Sequence, residues 1–418
     1  MVVAALLVCA AVAAALAVRA EPPERIVLVV IDTLRRDRVG AYGGSVATPN
    51  LDALAAEGTL FRRAYGAFHQ TSMSMAALFT GRTPSLESRA PGKPLAWTGR
   101  TWCGLARFAA SPTDSCVPEG MPTLAEALRK AGYHTAGVVS NLLLFRPSGY
   151  EQGFDEWIQV GASEAQARTA QAGGAMRYDP KRTAGNHVNQ EVRGWLERRR
   201  GDRFFLYVHY MDVHDWKMQH VPYDEGVRRV DGHVGELRKI LAEAGLLQGS
   251  VLVVTADHGE GLGEPHLHPP LPLHMGNPSY EPVLAVPLIV WPRIDADPEH
   301  FVRSDDTFRL IRSLAGLEAG AAPPDLERGE LFLTEQLFRI YRRGRWKSVW
   351  SRGQLSPYLF DLEHDAGEQR DVAALHPGEI AAHRTRVDEL SRRLGGESSA
   401  TAPSQEDLER LRALGYVE

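Results

Sequence analysis

Three side chains that can bind a metal ion follow two apolar runs of the sequence. Asp32 comes directly after residues 25–31, and Asp257 and His258 come shortly after residues 251–255. Both runs are rich in β-branched residues and lack polar alternation, which is typical of strands buried on both faces of a sheet. Such sheets collect functional groups at the carboxyl ends of their strands, so we expect the three side chains to lie close together. Two carboxylates and one imidazole favour a divalent cation.

The elements that must position these residues alternate between strands and helices. Strands are predicted at residues 25–31, 135–139, 204–208, 251–255 and 286–290, and helices at residues 49–57, 124–131, 184–198 and 227–241. Thr48 followed by Pro49 is a typical helix start. Thr123 and Glu126 form a second start signal, a capping box. The alternation predicts an α/β fold with a large, mostly parallel mixed sheet sandwiched by helices.

The character of the sequence changes after residues 319–324, which are rich in Ala and Pro. Short strand-like pieces at 331–340, 346–351 and 358–362 precede a helical pattern at 378–394. We therefore predict a large domain over residues 21–324 and a small C-terminal α+β subdomain over residues 325–399. The tail, residues 400–418, is predicted to be a linker that leads into a short helix at 405–414.

Residues 1–20 differ from the rest of the chain. The stretch from Met1 to Val18 carries no charged side chain, and Val18 and Ala20 are short residues at the usual −3 and −1 positions of a cleavage site. We therefore predict an export signal that ends at Ala20, which places the rest of the chain in the periplasm or outside the cell. An uncleaved membrane anchor over residues 1–18 and lipidation of Cys9 are the alternatives.

Cysteine usage is consistent with export. Cys103 and Cys116 remain once the predicted signal is removed, and they lie in a loop-like stretch that contains Gly104 and Pro112. In an oxidising compartment a disulfide between them would stabilise the fold by about 3 kcal/mol. Two unrelated thiols are the alternative.

The overall composition is that of a soluble globular protein and excludes several functional classes. The chain has 418 residues, of which 44% are hydrophobic and 24% are charged, with 47 Lys and Arg against 52 Asp and Glu. A disordered chain, a collagen-like repeat and a polytopic membrane protein would each depart from these values. Since the formal net charge is −5, there is no overall basic surface, and no nucleic-acid partner is expected.

Six ordered blocks of the chain resemble the sulfatase family, a branch of the alkaline phosphatase superfamily. They are Ile31–Gly43 with Thr48–Ala55, Leu78–Pro84, Phe205–His214, Thr255–Glu260, Tyr358–Asp365 and Leu414–Val417. The resemblance implies the sulfatase fold over the large domain and a metal-dependent hydrolase that acts on an anionic ester of the sulfate or phosphate type. The metal ligands of the family pattern fall on Asp32, Thr71, Asp257 and His258. One divalent ion is implied, and Mg²⁺, Ca²⁺, Mn²⁺ and Zn²⁺ all stay open.

One departure from the family pattern concerns the nucleophile. Sulfatases carry Cys or Ser in a Cys-x-Pro-Ser-Arg segment and oxidise it to formylglycine, whereas the corresponding residue here is Thr71, in the segment TSMSM. Oxidation of threonine would give a ketone rather than an aldehyde. We therefore expect an unmodified Thr71 to serve as both nucleophile and metal ligand, as in other branches of the superfamily. The alternative is that Thr71 only caps a helix at residues 72–80.

A second departure concerns the cationic groups around the substrate. The Lys-x-His segment of the family falls on residues 140–142, which are Ser, Asn and Leu, so those charges are missing. The resemblance places His214 and His274 near the substrate, where each would bind a substrate oxygen or protonate the leaving oxygen. Three further histidines are secondary candidates, with a solvated loop position as the alternative: His209, His266 and His268.

Two other functions stay open at this point. A relative that kept the fold but lost catalysis would bind anionic glycans, although degraded residues at the ligand positions would then be expected. A phosphotransferase of the same superfamily is the other alternative. Residues 85–121 and 161–183 are expected to shape the pocket for the organic part of the substrate. No pattern in the sequence identifies that part or the oligomeric state.

Overall fold

A computed structural model describes most of the chain. The described residues are 21–84, 101–102, 117, 120–144, 149–161, 179–199, 201–267, 279–318, 326, 329–334, 338–351 and 356–393. Several sequence predictions lie outside these residues and stay predictions: the export signal, the pair Cys103 and Cys116, the histidines His268 and His274, and the tail helix at 405–414.

The predicted strands and helices are present, with ends that differ by a few residues. The strands are β1 (Arg25–Ile31), β2 (Thr59–Leu60), β3 (Arg63–Tyr65), β4 (Thr83–Pro84), β5 (Thr101–Trp102), β6 (His134–Val139), β7 (Glu156–Gln159), β8 (Phe204–Tyr210), β9 (Ser250–Thr255), β10 (Leu288–Trp291), β11 (Phe301–Arg303), β12 (Glu330–Thr334), β13 (Phe338–Arg343), β14 (Trp346–Ser351) and β15 (Tyr358–Asp361). The helices are α1 (Pro49–Glu57), α2 (Thr71–Thr80), α3 (Leu124–Lys130), α4 (Gly185–Glu197), α5 (Tyr223–Glu243), α6 (Glu281–Leu284), α7 (Ser304–Leu314) and α8 (Pro377–Arg393).

The main sheet has seven strands in the order β2-β10-β9-β1-β8-β6-β7. β1 lies at its centre, parallel to β8 on one side and to β9 on the other. β6 and β7 extend the parallel part, whereas β10 runs antiparallel to β9 and β2 antiparallel to β10. Every residue from Ile26 to Ile31 is fully buried, and since successive side chains point to opposite faces, both faces are covered. The predicted α/β fold with a mostly parallel mixed sheet is confirmed.

The helices pack against one another in two groups. α1 and α4 both contact α5, and α2, α3 and α7 contact one another. The start of α1 differs from the prediction, because Thr48 makes no capping hydrogen bond. Asp231 of α5 instead accepts from the backbone N–H of Leu51 at 2.8 Å and from the side-chain amide of Asn50 at 2.8 Å. No helix within the described ranges is both long enough and apolar enough to span a bilayer.

The C-terminal part forms a separate, four-stranded antiparallel sheet in the order β12-β13-β14-β15. The piece predicted as one strand at residues 331–340 is two strands, β12 and β13, which pair antiparallel. The polar residues between the two apolar segments, Thr334 to Gln336, include neither Gly nor Pro, so the usual turn signals are missing there. One face of this small sheet packs on α8, and the other packs on apolar side chains near β3, α6 and β11: Tyr65, Leu284 and Phe301.

A buried ion cluster joins the small sheet to the segment in front of α6. Lys347 of β14 is fully buried, and its Nζ donates to the carbonyl oxygen of Ser279 at 2.5 Å. The same Nζ lies 3.2 Å from a carboxylate oxygen of Glu281 and 2.7 Å from one of Glu368. Because a buried charge is costly unless it is paired, these contacts fix the position of residues 279–281 against the small sheet.

Candidate active site and metal centre

Asp32 follows β1 at the carboxyl edge of the main sheet and is fully buried. Its Oδ2 accepts hydrogen bonds from Asn141 Nδ2 at 2.6 Å and from His209 Nε2 at 3.0 Å, and Thr71 Oγ1 approaches the same oxygen at 3.4 Å. Its Oδ1 is also buried and has no hydrogen-bond partner among the described residues. Burial alone would raise the pKa of Asp32, but the hydrogen bond from His209 and the positive charge of His214 lower it below its usual range. The side chain is therefore a carboxylate in which Oδ2 accepts hydrogen bonds and Oδ1 has no hydrogen-bond partner among the described residues.

Asp257 repeats this arrangement after β9. Its Oδ1 accepts from the backbone N–H groups of Thr33 at 3.1 Å and His258 at 2.8 Å, and its buried Oδ2 has no hydrogen-bond partner in the described part of the chain. Thr33 reaches Asp257 with φ of 58°, a conformation that β-branched residues rarely adopt. Gly66 lies so close that a Cβ there would collide with the Asp257 carbonyl oxygen. The backbone is thus shaped to hold this carboxylate in one orientation.

His258 presents a ring nitrogen with a lone pair to the same point. Its Nδ1 lies 2.8 Å from the Gly259 carbonyl oxygen, which can only accept, so Nδ1 carries the proton. Its Nε2 is then the acceptor in the neutral ring, 3.4 Å from Thr71 Oγ1 and 3.4 Å from Asp257 Oδ2. This tautomer is the one that coordinates a metal ion through Nε2.

Thr71 is the first residue of α2, and its hydroxyl lies between Asp32 Oδ2 and His258 Nε2, 3.4 Å from each. The N-cap position belongs to Gln70, so Thr71 does not stand where the capping interpretation requires. Ser74 connects the helix to the turn that carries Asp257, because its Oγ donates to the Asp257 carbonyl oxygen at 2.6 Å. Negative charge that develops on the Thr71 oxygen would be stabilised by the N-terminus of α2.

These residues fit a divalent metal ion. Asp32 and Asp257 are buried carboxylates, and each has one oxygen without a hydrogen-bond partner among the described residues. His258 Nε2 lies 3.4 Å from Asp257 Oδ2, and Thr71 Oγ1 lies 3.4 Å from His258 Nε2 and from Asp32 Oδ2. A buried pair of negative charges is costly unless a cation balances it. The buried group of Asp32, His209 and Asp257 also has ligand atoms within 4.8 Å of one another. Carboxylate oxygens suit Mg²⁺, Ca²⁺ and Mn²⁺, and imidazole nitrogen suits Zn²⁺, so the mixed set does not select one of these ions.

His214 lies beside this cluster, in a short 3₁₀ helix (His214–Trp216) after β8. Its Nδ1 is 3.0 Å from Asp215 Oδ1, and its side chain is 30% exposed, so it is open to a substrate. Burial disfavours the charged ring, but the hydrogen bond with Asp215 and the charges of Asp32, Asp215 and Glu260 outweigh burial and raise the pKa of His214 to about 9. His214 is therefore an imidazolium at neutral pH.

We expect His214 of the metal-free protein to titrate near pH 9 when followed by NMR of its imidazole, with the His214→Gln variant used to assign the signal. Added Zn²⁺ should lower this pKa by about one unit or more, because a dication at the Asp32 cluster repels the imidazolium. Since the folded pKa exceeds the ordinary 6.5, His214 stabilises the fold below pH 6.5 and loses that contribution as pH rises through 9. A ring that titrates at or below 6.5 without metal would contradict this assignment.

One residue at the site, Asn141, is not predicted as a site residue from the sequence, and His209 is predicted only as a secondary candidate. Asn141 is the middle residue of the segment that replaces the family's Lys-x-His, and it donates to Asp32. The alternative prediction for His209, a position in a solvated loop, is wrong, because His209 lies in β8 and is fully buried. A signal was present, since Tyr207 and His209 alternate on one face of a strand that is apolar elsewhere.

The other candidate histidines lie elsewhere. His266 is neither in a solvated loop nor in the Asp32 cluster: its side chain is 2% exposed and its Nε2 lies 3.9 Å from Glu368 at the small sheet. The structure therefore brings together Asp32, Thr71, Asp257 and His258, with His214 beside them. His274 is outside the described residues.

Most of the large domain matches a known protein family. A family model described as "Sulfatase" matches residues 24–317. The human N-acetylgalactosamine-6-sulfatase is 29% identical over 277 residues, which is 58% of this chain and 51% of the human protein. The chain thus spans about half the length of the first curated relatives that it matches.

Two bacterial proteins match over more of the chain. N-acetylgalactosamine-6-O-sulfatase of Bacteroides thetaiotaomicron is 20% identical and covers 84% of this chain and 90% of its own length. The crystal structure of the phosphonate monoester hydrolase of Agrobacterium radiobacter superposes with a TM-score of 0.62 at 16% identity, covering 92% of this chain and 99% of that one. At this identity the structural likeness establishes the fold.

Proposed function

Since the chain belongs to the sulfatase family of ester hydrolases, within the alkaline phosphatase superfamily, we propose that it hydrolyses sulfate or phosphate-type esters with an unmodified Thr71 as nucleophile. The observation that carries the proposal is the position of Thr71 Oγ1, 3.4 Å from both Asp32 Oδ2 and His258 Nε2. A hydroxyl in that place can lose its proton and attack an ester held at the same point.

Each residue of the cluster has a role in this proposal. Asp32, Asp257, His258 and Thr71 would hold one divalent ion. That ion supplies positive charge, which lowers the pKa of the Thr71 hydroxyl and favours an anionic ester. The Thr71 proton is released to water, because Asp32 Oδ2 already accepts from Asn141 and His209 and the pKa of Asp32 is lowered. The N-terminus of α2 stabilises the resulting alkoxide.

In this proposal His214 is the general acid for the leaving oxygen. The Thr71 oxygen attacks sulfur or phosphorus, the bond to the leaving oxygen breaks, and the His214 imidazolium gives its proton to that oxygen. The neutral ring then takes a proton from water, which attacks the ester formed on Thr71 and releases sulfate or phosphate. Thr71 recovers its proton, so the cycle closes. His274 remains a proposed second donor to the substrate.

The proposed nucleophile favours phosphorus esters over sulfate esters. A formylglycine hydrate can expel sulfate by collapsing to the aldehyde, because it has a second hydroxyl. Thr71 has one hydroxyl, so its ester must be cleaved by water attacking sulfur or phosphorus directly.

We also propose that the protein is exported through residues 1–20, either with cleavage of this segment or with the segment kept as a membrane anchor. Cys103 and Cys116 are proposed to form a disulfide.

A panel of substrates against several metals tests the function. Metal-free protein is given Mg²⁺, Mn²⁺, Zn²⁺ or Ca²⁺ and assayed on an aryl sulfate, a phosphate monoester, a phosphate diester and a phosphonate monoester. We expect metal-dependent turnover, faster on a phosphorus ester than on the sulfate. Less than about a tenth of an equivalent of bound metal, with no turnover on any ester, would instead indicate the glycan-binding alternative.

A further inference from the structure

A second buried network lies behind the proposed metal ligands. Tyr207 and His209 are adjacent on one face of β8, and both side chains are fully buried. The Tyr207 hydroxyl contacts His209 Nδ1 at 2.5 Å, and His209 Nε2 contacts Asp32 Oδ2 at 3.0 Å. Asn141 donates to the same Asp32 oxygen. A three-residue chain therefore runs from the interior of the sheet to one carboxylate of the site.

We propose that His209 is a positioning residue that donates from Nε2 to Asp32 and does not coordinate the metal ion. The proposal rests on the proposed metal site. His209 is near enough to be a ligand, since its nitrogen lies within 4.8 Å of the oxygens of Asp32 and Asp257. Proximity alone therefore does not separate a ligand from a donor, and the position of the proton on the ring decides between them.

The hydrogen bonds place that proton on Nε2. Asp32 Oδ2 accepts from Asn141 Nδ2 at 2.6 Å, as a carboxylate oxygen does, and the imidazole nitrogen 3.0 Å from the same oxygen is placed to donate to it. Burial raises the pKa of the Tyr207 hydroxyl well above its usual value, so the phenol keeps its proton and donates to Nδ1. Both ring nitrogens of His209 then have a hydrogen-bond partner. No lone pair is left on Nε2 for a cation.

This arrangement determines which oxygen of Asp32 faces the cation. His209 and Asn141 occupy Oδ2, whereas Oδ1 is buried and has no partner among the residues that the structure describes. Asp32 would therefore hold a cation through Oδ1, with its carboxylate plane fixed by the two N–H donors on Oδ2. Donors behind a metal ligand typically contribute 10–100-fold to metal affinity, because they hold the ligand in its binding orientation.

Binding of Co²⁺ to the metal-free full chain tests the proposal. We expect His209→Ala to weaken Co²⁺ binding by about 10–100-fold in calorimetry. At saturation its visible Co²⁺ spectrum should match that of the unchanged protein, because the ligand set is intact. His258→Ala, which removes a ligand, should change the spectrum. His209→Gln should recover most of the affinity, since its side-chain amide can donate to Asp32.

A matched pair of variants separates positioning from simple loss of a buried hydroxyl. Tyr207→Phe removes the donor to His209, and we expect weaker Co²⁺ binding and a loss of the Nε2–H tautomer in imidazole NMR. Tyr210→Phe removes a buried hydroxyl of the same strand that instead donates to Asn189. It should leave Co²⁺ affinity unchanged even if it lowers the melting temperature.

The outcomes distinguish the two proposals. An altered saturated spectrum in His209→Ala, or an unchanged affinity in that variant, would overturn the positioning role while the metal site stands. Failure of the unchanged protein to take up Co²⁺ would overturn the proposed metal site, and the role of His209 with it.

Discussion

Thr71→Ala should lose at least about 10³-fold in turnover on the best substrate of the panel, as expected for removal of a catalytic nucleophile. The hydroxyl is the group between Asp32 and His258, and the methyl group of alanine cannot attack. Thr71→Ser should keep part of the activity, because a primary hydroxyl can occupy the same place. Turnover is measured at saturating metal, so that a change in metal affinity does not enter the comparison.

The other end of the same helix offers a matched control. Thr80 is also a buried threonine of α2, but its Oγ1 donates to the Ala76 carbonyl oxygen, away from the site. Thr80→Ala should therefore retain turnover within a few-fold, with similar or greater loss of stability. If Thr71→Ala also stays near the unchanged protein, the hydroxyl is not the nucleophile and the proposed mechanism is wrong.

Asp257→Asn should abolish the stabilisation of the protein by metal and reduce turnover by at least about 10³-fold. Metal at 100 times its Kd stabilises the unchanged protein by about 2.7 kcal/mol, which a thermal melt records as a rise of several degrees. The variant should show no rise. Without metal it should melt at or above the temperature of the unchanged protein, because asparagine can still accept from Thr33 and His258 while one buried negative charge is removed.

Asp231→Asn gives the opposite pattern and serves as the control. Asp231 is a buried carboxylate of α5 that faces the start of α1. Its two oxygens accept N–H groups from Asn50 and Leu51. An amide there must turn one N–H towards another donor, so the variant should melt lower with and without metal. It should keep the full rise on metal addition. A full metal-induced rise in Asp257→Asn would mean that Asp257 is not a ligand.

The parts of the site that follow single strands could be predicted from the sequence. Asp32, Asp257 and His258 stand just beyond continuous apolar runs, and parallel strands bring such positions to one edge. Thr71, the proposed nucleophile, is identified only by its distance from a family segment, because nothing in the composition of α2 marks it. The capping box at Thr123 is a local signal and is present, with Thr123 Oγ1 accepting from the Glu126 N–H at 3.2 Å.

The network behind Asp32 could not be predicted, because it depends on which strands are neighbours. His209 meets Asp32 only because β8 lies beside β1 with Val30 opposite His209. Asn141 reaches the same oxygen because β6 is the next strand out. Apolar periodicity identifies strands but leaves their order open, so contacts between strand ends remain undetermined. The hairpin of β12 and β13 is missed for another reason, because the polar residues between its strands include neither Gly nor Pro.

The buried Lys347 makes the small sheet an integral part of the folding unit and not an exchangeable module. A chain shortened before β12 would leave Glu281 without this cation and would uncover Leu284 and Phe301. The loss would reach the turn that carries Asp257 and His258, because the backbone N–H of Gly259 donates to the carbonyl oxygen of Val283 at 2.6 Å, two residues after Glu281. In evolution, a domain exchange that replaces the C-terminal sheet must also supply a buried cation to contact Glu281.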